Sequence, residues 1–245
     1  MAVLYDHLGN PIDKSRLKTE EAGPSITGVR QILSGHPAQN LTPQRLARLM
    51  LAAEQGDAVA YLEVAEEMEE KDLHYRSVIS TRKLQVSGLP ITVEAASDAV
   101  EDVKAADLVR DFVNSGILDA SLKDYLDAIG KGYSACEIMW DTEGITWFPY
   151  EILWRDPRWF EFDQADGTTL RLKGEHGLPE PLAPAKFIIH IHKSKRGLPI
   201  RGGLARPVAW YYLFKNFDIK SWVEFLQVFG FPLRLGRYGS DATAE

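Results

Sequence analysis

The chain has 245 residues, of which 45% are hydrophobic and 26% are charged, a composition typical of a folded protein with a core of its own. Its one cysteine, Cys136, excludes a disulfide framework or a multi-cysteine zinc site within the chain. The formal net charge of −7 is unevenly distributed, because residues 186–240 contain ten Lys and Arg but two acidic residues. A basic segment on an acidic body predicts contact either with a polyanion or with acidic groups of a neighbouring subunit.

The first part of the chain is predicted to be an arm followed by a helix. Residues 1–40 mix Gly, Pro, Asp and Lys without periodicity, which indicates a flexible N-terminal arm. Thr42 followed by Pro43 is a typical helix start, and together they predict a helix over Pro43–Glu54.

One long helix is expected next. Asp57 is a typical N-cap residue, and apolar residues recur at helical spacing from residue 58 to about residue 86. Another side of this helix carries a cluster of acidic residues, which predicts a solvated charged face. These residues are Glu66, Glu67, Glu69 and Glu70.

A short strand and two more helices follow. Residues 89–94 are predicted to form the strand, Val100–Asn114 an amphipathic helix, and residues 122–131 a helix that ends at Gly132. The apolar residues of the amphipathic helix are expected to face inward. They are Val103, Ala106, Leu108, Val109, Phe112 and Val113.

The next segment changes character and is predicted to be mainly β. Residues 135–140 alternate in polarity as a strand does, and residues 145–150 form a second strand pattern after a turn, which predicts a hairpin. Residues 159–163 and 169–172 flank an Asp-Gly turn and predict a second hairpin. Residues 186–192 read as a buried strand.

A long helical pattern over residues 203–229 is apolar on nearly every side. Lys215, Asp218, Lys220 and Glu224 interrupt it, so no membrane span and no membrane partner are expected. Such a helix needs neighbours around most of its circumference, which predicts contacts with other copies of the chain. The aromatic residues expected to make them are Trp210, Tyr211, Phe214, Phe217, Trp222, Phe225 and Phe229.

The order of these elements predicts an α+β fold in three parts. The parts are the arm at residues 1–40, a domain of helices and antiparallel hairpins at 41–200, and the long helix with the segment after it at 201–245. Basic residues flank the long helix and are candidates for contacting DNA phosphates or the next subunit. They are Lys193, Lys195, Arg196, Arg234 and Arg237.

Two groups of residues could support metal-dependent chemistry. His190 and His192 share one face of a predicted strand, a spacing that suits either a metal or cross-strand packing. Asp156, Glu161 and Asp163 could hold Mg²⁺ for phosphodiester cleavage, although no lysine completes that set. The sequence contains neither a phosphate-binding loop nor a complete catalytic set. We therefore interpret the chain as non-enzymatic and without a cofactor, with a metal-dependent phosphodiesterase as the alternative.

Four segments, in this order, resemble the portal proteins of Mu-like tailed phages and prophages. They are MEEKDLHYRSVISTRKLQVSGLPITV (68–93), GKGYSACEIMW (130–140), DPRWFEFD (156–163) and GLARPVAWYYLFKNFDIKSWVEFLQVFGFPLRLGRY (203–238).

The resemblance implies a self-assembled ring, typically a dodecamer, at one vertex of the capsid. Double-stranded DNA would pass through its channel during packaging and ejection, with terminase and head-completion proteins as partners. The location would be the virion, and the host cytoplasm during assembly. Residues 40–195 would correspond to the wing region and 203–229 would lead into the stem, with the clip around or after Gly230.

Family members continue beyond the point at which this chain ends, Glu245. We therefore expect the chain to correspond to the N-terminal half of the family, without the second stem helix and the crown. A small assembly adaptor with no role in DNA handling is a further alternative.

Overall fold

The computed structural model describes residues 5–6, 9–144, 146–230, 236 and 239. These residues form helices and small antiparallel sheets, which confirms the predicted α+β class. The helices are α1 (Lys14–Lys18), α2 (Pro43–Glu54), α3 (Val59–Lys71), α4 (Leu73–Ser87), α5 (Val100–Asn114), α6 (Ile117–Tyr125), α7 (Ala128–Lys131) and α8 (Ala205–Phe229). The strands are β1 (Tyr133–Asp141), β2 (Phe148–Arg155), β3 (Phe160–Phe162), β4 (Leu170–Lys173), β5 (Pro179–Pro181) and β6 (Phe187–Ile191).

Helix α2 begins and ends where the sequence predicts. The Thr42 side chain accepts a hydrogen bond from the backbone N–H of Arg45 at 3.2 Å, and Pro43 occupies the first turn. Thr42 thus pairs one backbone N–H group of the first turn, and Pro43 has no N–H group that would need a partner.

The single helix predicted after Asp57 is wrong, because the chain breaks into α3 and α4 at Asp72. The Asp72 side chain accepts hydrogen bonds from the backbone N–H groups of His74 and Tyr75, each at 3.0 Å. It therefore caps a new helix instead of continuing the old one. Asp57 does not cap α3, whose N-cap is Ala58 without a side-chain hydrogen bond.

The region between α4 and α7 departs from the prediction in three ways. Residues 89–94 form no strand, and the Val93 carbonyl instead accepts a hydrogen bond from the side chain of Arg110. Helix α5 has the predicted bounds, but Val103, Leu108 and Val109 are 39–47% exposed, because no described segment covers that side of the helix. The helix predicted at 122–131 begins earlier and is divided into α6 and α7.

Both predicted hairpins are confirmed as antiparallel pairs. Strand β1 lies between β2 and β6 in one sheet, with Glu137 opposite Leu153 on one side and Phe187 on the other. Strands β3, β4 and β5 form a second antiparallel sheet. Strand β6 is an edge strand, and Ile188 and Ile189 on it are exposed rather than buried as the sequence suggested.

One hydrophobic core joins the helices to both sheets. Helices α2, α3 and α4 contribute to it together with the first half of α8. Its fully buried large side chains include Leu46, Tyr61, Met68, Ile79, Tyr133, Phe160 and Leu213. This core fixes the direction in which α8 leaves the body.

The described part of the predicted flexible arm contacts the body at several points. Leu17 and Ala22 are buried, and the backbone N–H groups of Glu21 and Ala22 donate hydrogen bonds to the Glu137 carboxylate at 2.6 and 3.1 Å. The Lys186 ammonium donates to the Leu17 carbonyl at 2.8 Å. These contacts anchor residues 17–22, which the composition of the segment does not reveal.

Candidate functional site

The long helix α8 starts at a crowded junction with the body. A Cβ atom on Gly203 would overlap the carbonyl oxygen of Gly130, so only glycine allows the two backbones to approach this closely. Next to it, the Leu204 N–H donates to the Ile129 carbonyl at 2.9 Å. The junction therefore holds the start of α8 rigidly against α7.

The first half of α8 packs into the body. Ala205, Ala209, Tyr212 and Leu213 are buried in the core, and Arg206 forms an ion pair with Glu54 at the end of α2. Trp210, which the sequence assigned to contacts between subunits, is half-buried and packs against this same core. Its main described contacts are therefore within its own chain.

The distal half of α8, residues 214–229, is exposed along its whole length. Its large apolar side chains retain 42–69% of their accessible surface. They are Phe214, Phe217, Ile219, Trp222, Val223, Phe225, Leu226, Val228 and Phe229. Five of the seven predicted contact residues thus lie on this surface, which no described segment of the chain covers.

Next to this exposed surface lies a groove between α4 and α8 that the sequence did not predict. Its volume is about 590 Å³, and its apolar lining consists of Tyr75, Val78, Val208, Tyr211, Tyr212 and Phe214. The rim is polar, with Asp72, His74, Lys215 and Asp218. We call it the α4–α8 groove. Tyr211 projects from its wall with 77% of its surface exposed.

The basic residues before α8 are also at the surface. Lys193, Lys195 and Arg196 are exposed in the loop between β6 and the 3-10 turn Pro199–Gly202, and none has an ion pair with the described residues. Arg234 and Arg237 lie outside the described residues. The loop therefore presents three positive charges to solvent.

Residues 62–245 match the family model described as "Portal protein of Mu bacteriophage". The chain belongs to this Mu portal protein family. It is 35% identical to "Mu-like prophage FluMu protein gp29" of Haemophilus influenzae, over 98% of this chain and 47% of that protein. It is 33% identical to "Portal protein" of Escherichia phage Mu, over 99% of this chain and 48% of that protein. The chain thus spans about half the length of the curated relatives it matches.

The family match covers the surfaces described above. It begins within α3 and includes the α4–α8 groove, the basic loop and the whole of α8, whereas the N-terminal segment and α2 precede it. In the described part of this Mu portal family chain, no helix has the length and apolar content that a membrane crossing requires.

Three of the five residues considered for metal-dependent chemistry, Asp156, Asp163 and His190, have partners within the chain. Asp156 is bound by Arg158 at 2.5 Å, and Asp163 by Arg171 at 2.5 Å, so each carboxylate already has a guanidinium partner. His190 Nδ1 lies 2.6 Å from the Tyr125 carbonyl oxygen. Among the described residues, no group of three or more His, Cys, Asp or Glu could hold a metal ion.

The acidic face predicted on α3 is solvated only in part: Glu66 and Glu70 are exposed, whereas Glu67 is buried and Glu69 is half-buried beside Lys83. Lys131 pairs with Glu66 and with Asp127, the latter at 2.7 Å, while Lys83 lies 2.8 Å from Glu69 and 3.3 Å from Asp127. Burial by itself would raise the pKa of Asp127, but the charges of Lys131 and Lys83 hold that pKa below its ordinary value of 3.8. These charges tie α3, α4 and α7 together.

The thiol of Cys136 offers no nucleophile. It is fully buried on β1, and this burial raises its pKa to about 12. A thiol of that kind stays protonated and is shielded from substrates.

Proposed function

We propose that this chain is a structural subunit of an oligomeric portal ring at a capsid vertex of a tailed phage or prophage. Double-stranded DNA would be packaged and ejected through the ring. The observation that supports this most is the uncovered apolar surface of distal α8 in a chain of the Mu portal family. A soluble monomer rarely leaves so large an apolar surface in water.

The size of this surface suits a stable contact between subunits. At about half of 150–250 Å² each, the five aromatic rings of distal α8 expose on the order of 500 Å². The aliphatic side chains between them bring the surface close to the ~800 Å² per partner of a typical stable interface. Covering it with neighbouring copies would remove the aggregation hazard that the isolated subunit carries.

The charge distribution suits a conduit for DNA. Most of the chain is acidic, which would keep DNA from adhering to the body, whereas the exposed Lys193, Lys195 and Arg196 offer a local phosphate contact. Terminase and head-completion proteins are the partners we propose for the ring. Its proposed location is the virion vertex, after assembly in the host cytoplasm.

Sedimentation velocity and negative-stain electron microscopy of the purified chain test this function. We expect closed rings, or large oligomers, that dissociate when Trp222→Glu or Phe229→Glu is introduced. A monodisperse monomer would contradict the ring, and a defined small oligomer that does not bind DNA would favour the adaptor. Mg²⁺-dependent cleavage of DNA that is lost in Asp163→Ala would favour the phosphodiesterase.

A further inference from the structure

We infer that the α4–α8 groove is the acceptor site for the distal half of α8 from a neighbouring copy of the chain. This inference rests on the proposed function and names the second surface that the proposed subunit contact requires. The contact is heterologous, because a groove on one copy receives a helix from the next.

The groove has the character of a protein-binding site. Its floor is formed by the buried Tyr75 and Tyr212, and its walls by Val78, Tyr211 and Phe214, which are all exposed. An apolar centre with a charged rim is the usual anatomy of a protein interface, and tyrosine is enriched among the residues that dominate binding energy. The volume of about 590 Å³ accommodates several large side chains rather than a single ion or water.

The chain's own distal helix cannot fill this groove. Helix α8 continues without a break from Ala205 to Phe229, and its one proline, Pro207, lies in the first turn. At a rise of about 1.5 Å per residue, Phe225 lies about 15 Å along the helix axis from the groove residue Lys215. Phe214 lines the groove of its own copy, but Trp222, Phe225 and Phe229 reach a groove only on another copy.

The two surfaces complement each other in chemistry as well as in size. Distal α8 supplies aromatic knobs with a surface close to that of a stable interface, and the groove supplies an apolar recess for part of them. The rim carries Asp218, which has no ion pair with the described residues, and distal α8 carries Lys220, which lies 3.8 Å from Glu224 at the exposed surface. Residues two apart on a helix do not face each other, so an ion pair between Lys220 and Asp218 would have to join two copies, in place of the exposed pair with Glu224.

This arrangement explains how one chain could build a ring. Each copy carries one groove and one distal helix, and pairing them leaves a free groove at one end and a free helix at the other. Such heterologous contacts repeat until a rotation closes them.

Two variants test the groove and the distal helix separately. Val78→Glu places a carboxylate in the groove, and Phe225→Glu places one on distal α8; both positions are exposed, so the fold of the subunit should persist. Val100→Glu, at an exposed position on α5, is the matched control. Circular dichroism confirms the fold of each variant before its assembly is measured by sedimentation.

We expect each groove or helix variant alone to associate about 100-fold more weakly than the parent chain, because an unpaired charge is costly in a water-excluded contact. In an equimolar mixture, the intact distal helix of Val78→Glu can enter the intact groove of Phe225→Glu. The mixture should therefore sediment as a dimer that does not grow further, because the other groove and the other helix are both altered. The control should assemble as the parent does.

The remaining outcomes distinguish the two proposals. If the parent chain is itself monomeric, the proposed ring fails. If the parent forms rings and Val78→Glu forms them equally well, the ring stands and the groove inference is wrong. Loss of assembly in Phe225→Glu alone would instead indicate helix-to-helix contact or another occupant of the groove.

Discussion

The carboxylate of Glu137 lies 2.7 Å from Nη2 of Arg155 in the interior of the protein, where both side chains are withdrawn from water. The same carboxylate lies 3.4 Å from the buried ammonium of Lys186 and accepts the backbone N–H groups of Glu21 and Ala22. One acidic residue on β1 therefore pairs with two buried cations and anchors the N-terminal segment, while Glu20 forms a second ion pair with Arg155 at 2.7 Å.

We expect Glu137→Gln to lower the free energy of unfolding by about 3–5 kcal/mol, because it removes the buried counter-charge of Lys186 and leaves Arg155 only its pair with Glu20. Urea unfolding followed by circular dichroism measures the loss, and limited proteolysis should show earlier cleavage near residues 17–22. Glu143→Gln is the control, since Glu143 pairs with Lys18 at 3.5 Å on the surface and should have almost no effect. Equal stabilities of the two variants would show that the buried cluster contributes little.

A second prediction concerns acid stability and Asp127. The pKa of this carboxyl is held below 3.8 in the folded protein, so the folded state favours the charged form. Its contribution to stability is therefore fully present above the unfolded pKa and is lost as the pH falls through the folded pKa.

Asp127→Asn should accordingly be less stable than the parent chain at pH 7, and the difference should shrink as the pH falls below about 4. Urea unfolding at several pH values from neutral to acidic measures this difference. A gap between variant and parent that stays constant over the whole range would contradict the assigned role of Lys131 and Lys83.

A third prediction tests the junction that positions α8. Gly203→Ala would force a methyl group against the Gly130 carbonyl, and the rigid backbone there cannot move aside cheaply. We expect a loss of about 1–3 kcal/mol in unfolding free energy, together with weaker assembly because the direction of α8 changes. The control is Gly239→Ala, because no atom of the described residues lies within 4 Å of the added Cβ. Gly177→Ala would not serve, because the φ of Gly177 is 77°.

A fourth prediction addresses the basic loop. Replacing Lys193, Lys195 and Arg196 with Gln should weaken binding of double-stranded DNA at low salt. The slope of log affinity against log salt should fall by up to about 0.9 for each phosphate contact that is lost. Fluorescence anisotropy with labelled DNA at a series of salt concentrations measures both quantities.

The control for this loop removes the same charge elsewhere on the surface. Arg48, Lys104 and Lys123 are also exposed, so replacing them with Gln changes the net charge equally. A similar loss of DNA affinity in both triple variants would indicate that the overall charge of the protein, rather than the loop, attracts DNA. If the loop variant kept its affinity for DNA but assembled less well, the loop would be assigned to contacts between subunits.

Local sequence signals predicted several elements well. The bounds of α2 follow from its capping residue Thr42 and those of α5 from apolar spacing, and the two hairpins follow from alternation around turn residues. The length and the apolar circumference of α8 were equally clear, since both depend only on residues close together in sequence.

Side-chain burial was less predictable than the elements themselves. The four acidic residues of α3 were predicted to be solvated, but Glu67 is buried, and Lys83 and Lys131 from other helices pair with Glu69 and Glu66. The apolar stripe of α5 was predicted to face the core, but Val103 and Val109 on it are not covered by any described residue and are exposed. Periodicity identifies a face of a helix, whereas the segment that covers the face comes from elsewhere in the chain or from another chain.

The sequence by itself determined the α+β class, the long apolar helix and the resemblance to the Mu portal family, because each is carried by residues adjacent in the chain. Only the tertiary structure decided where that helix emerges from the body, which half of it stays uncovered and that a groove lies beside it. Those features arise where α4, α7 and α8 meet, and contacts between segments distant in sequence leave no local pattern from which to infer them.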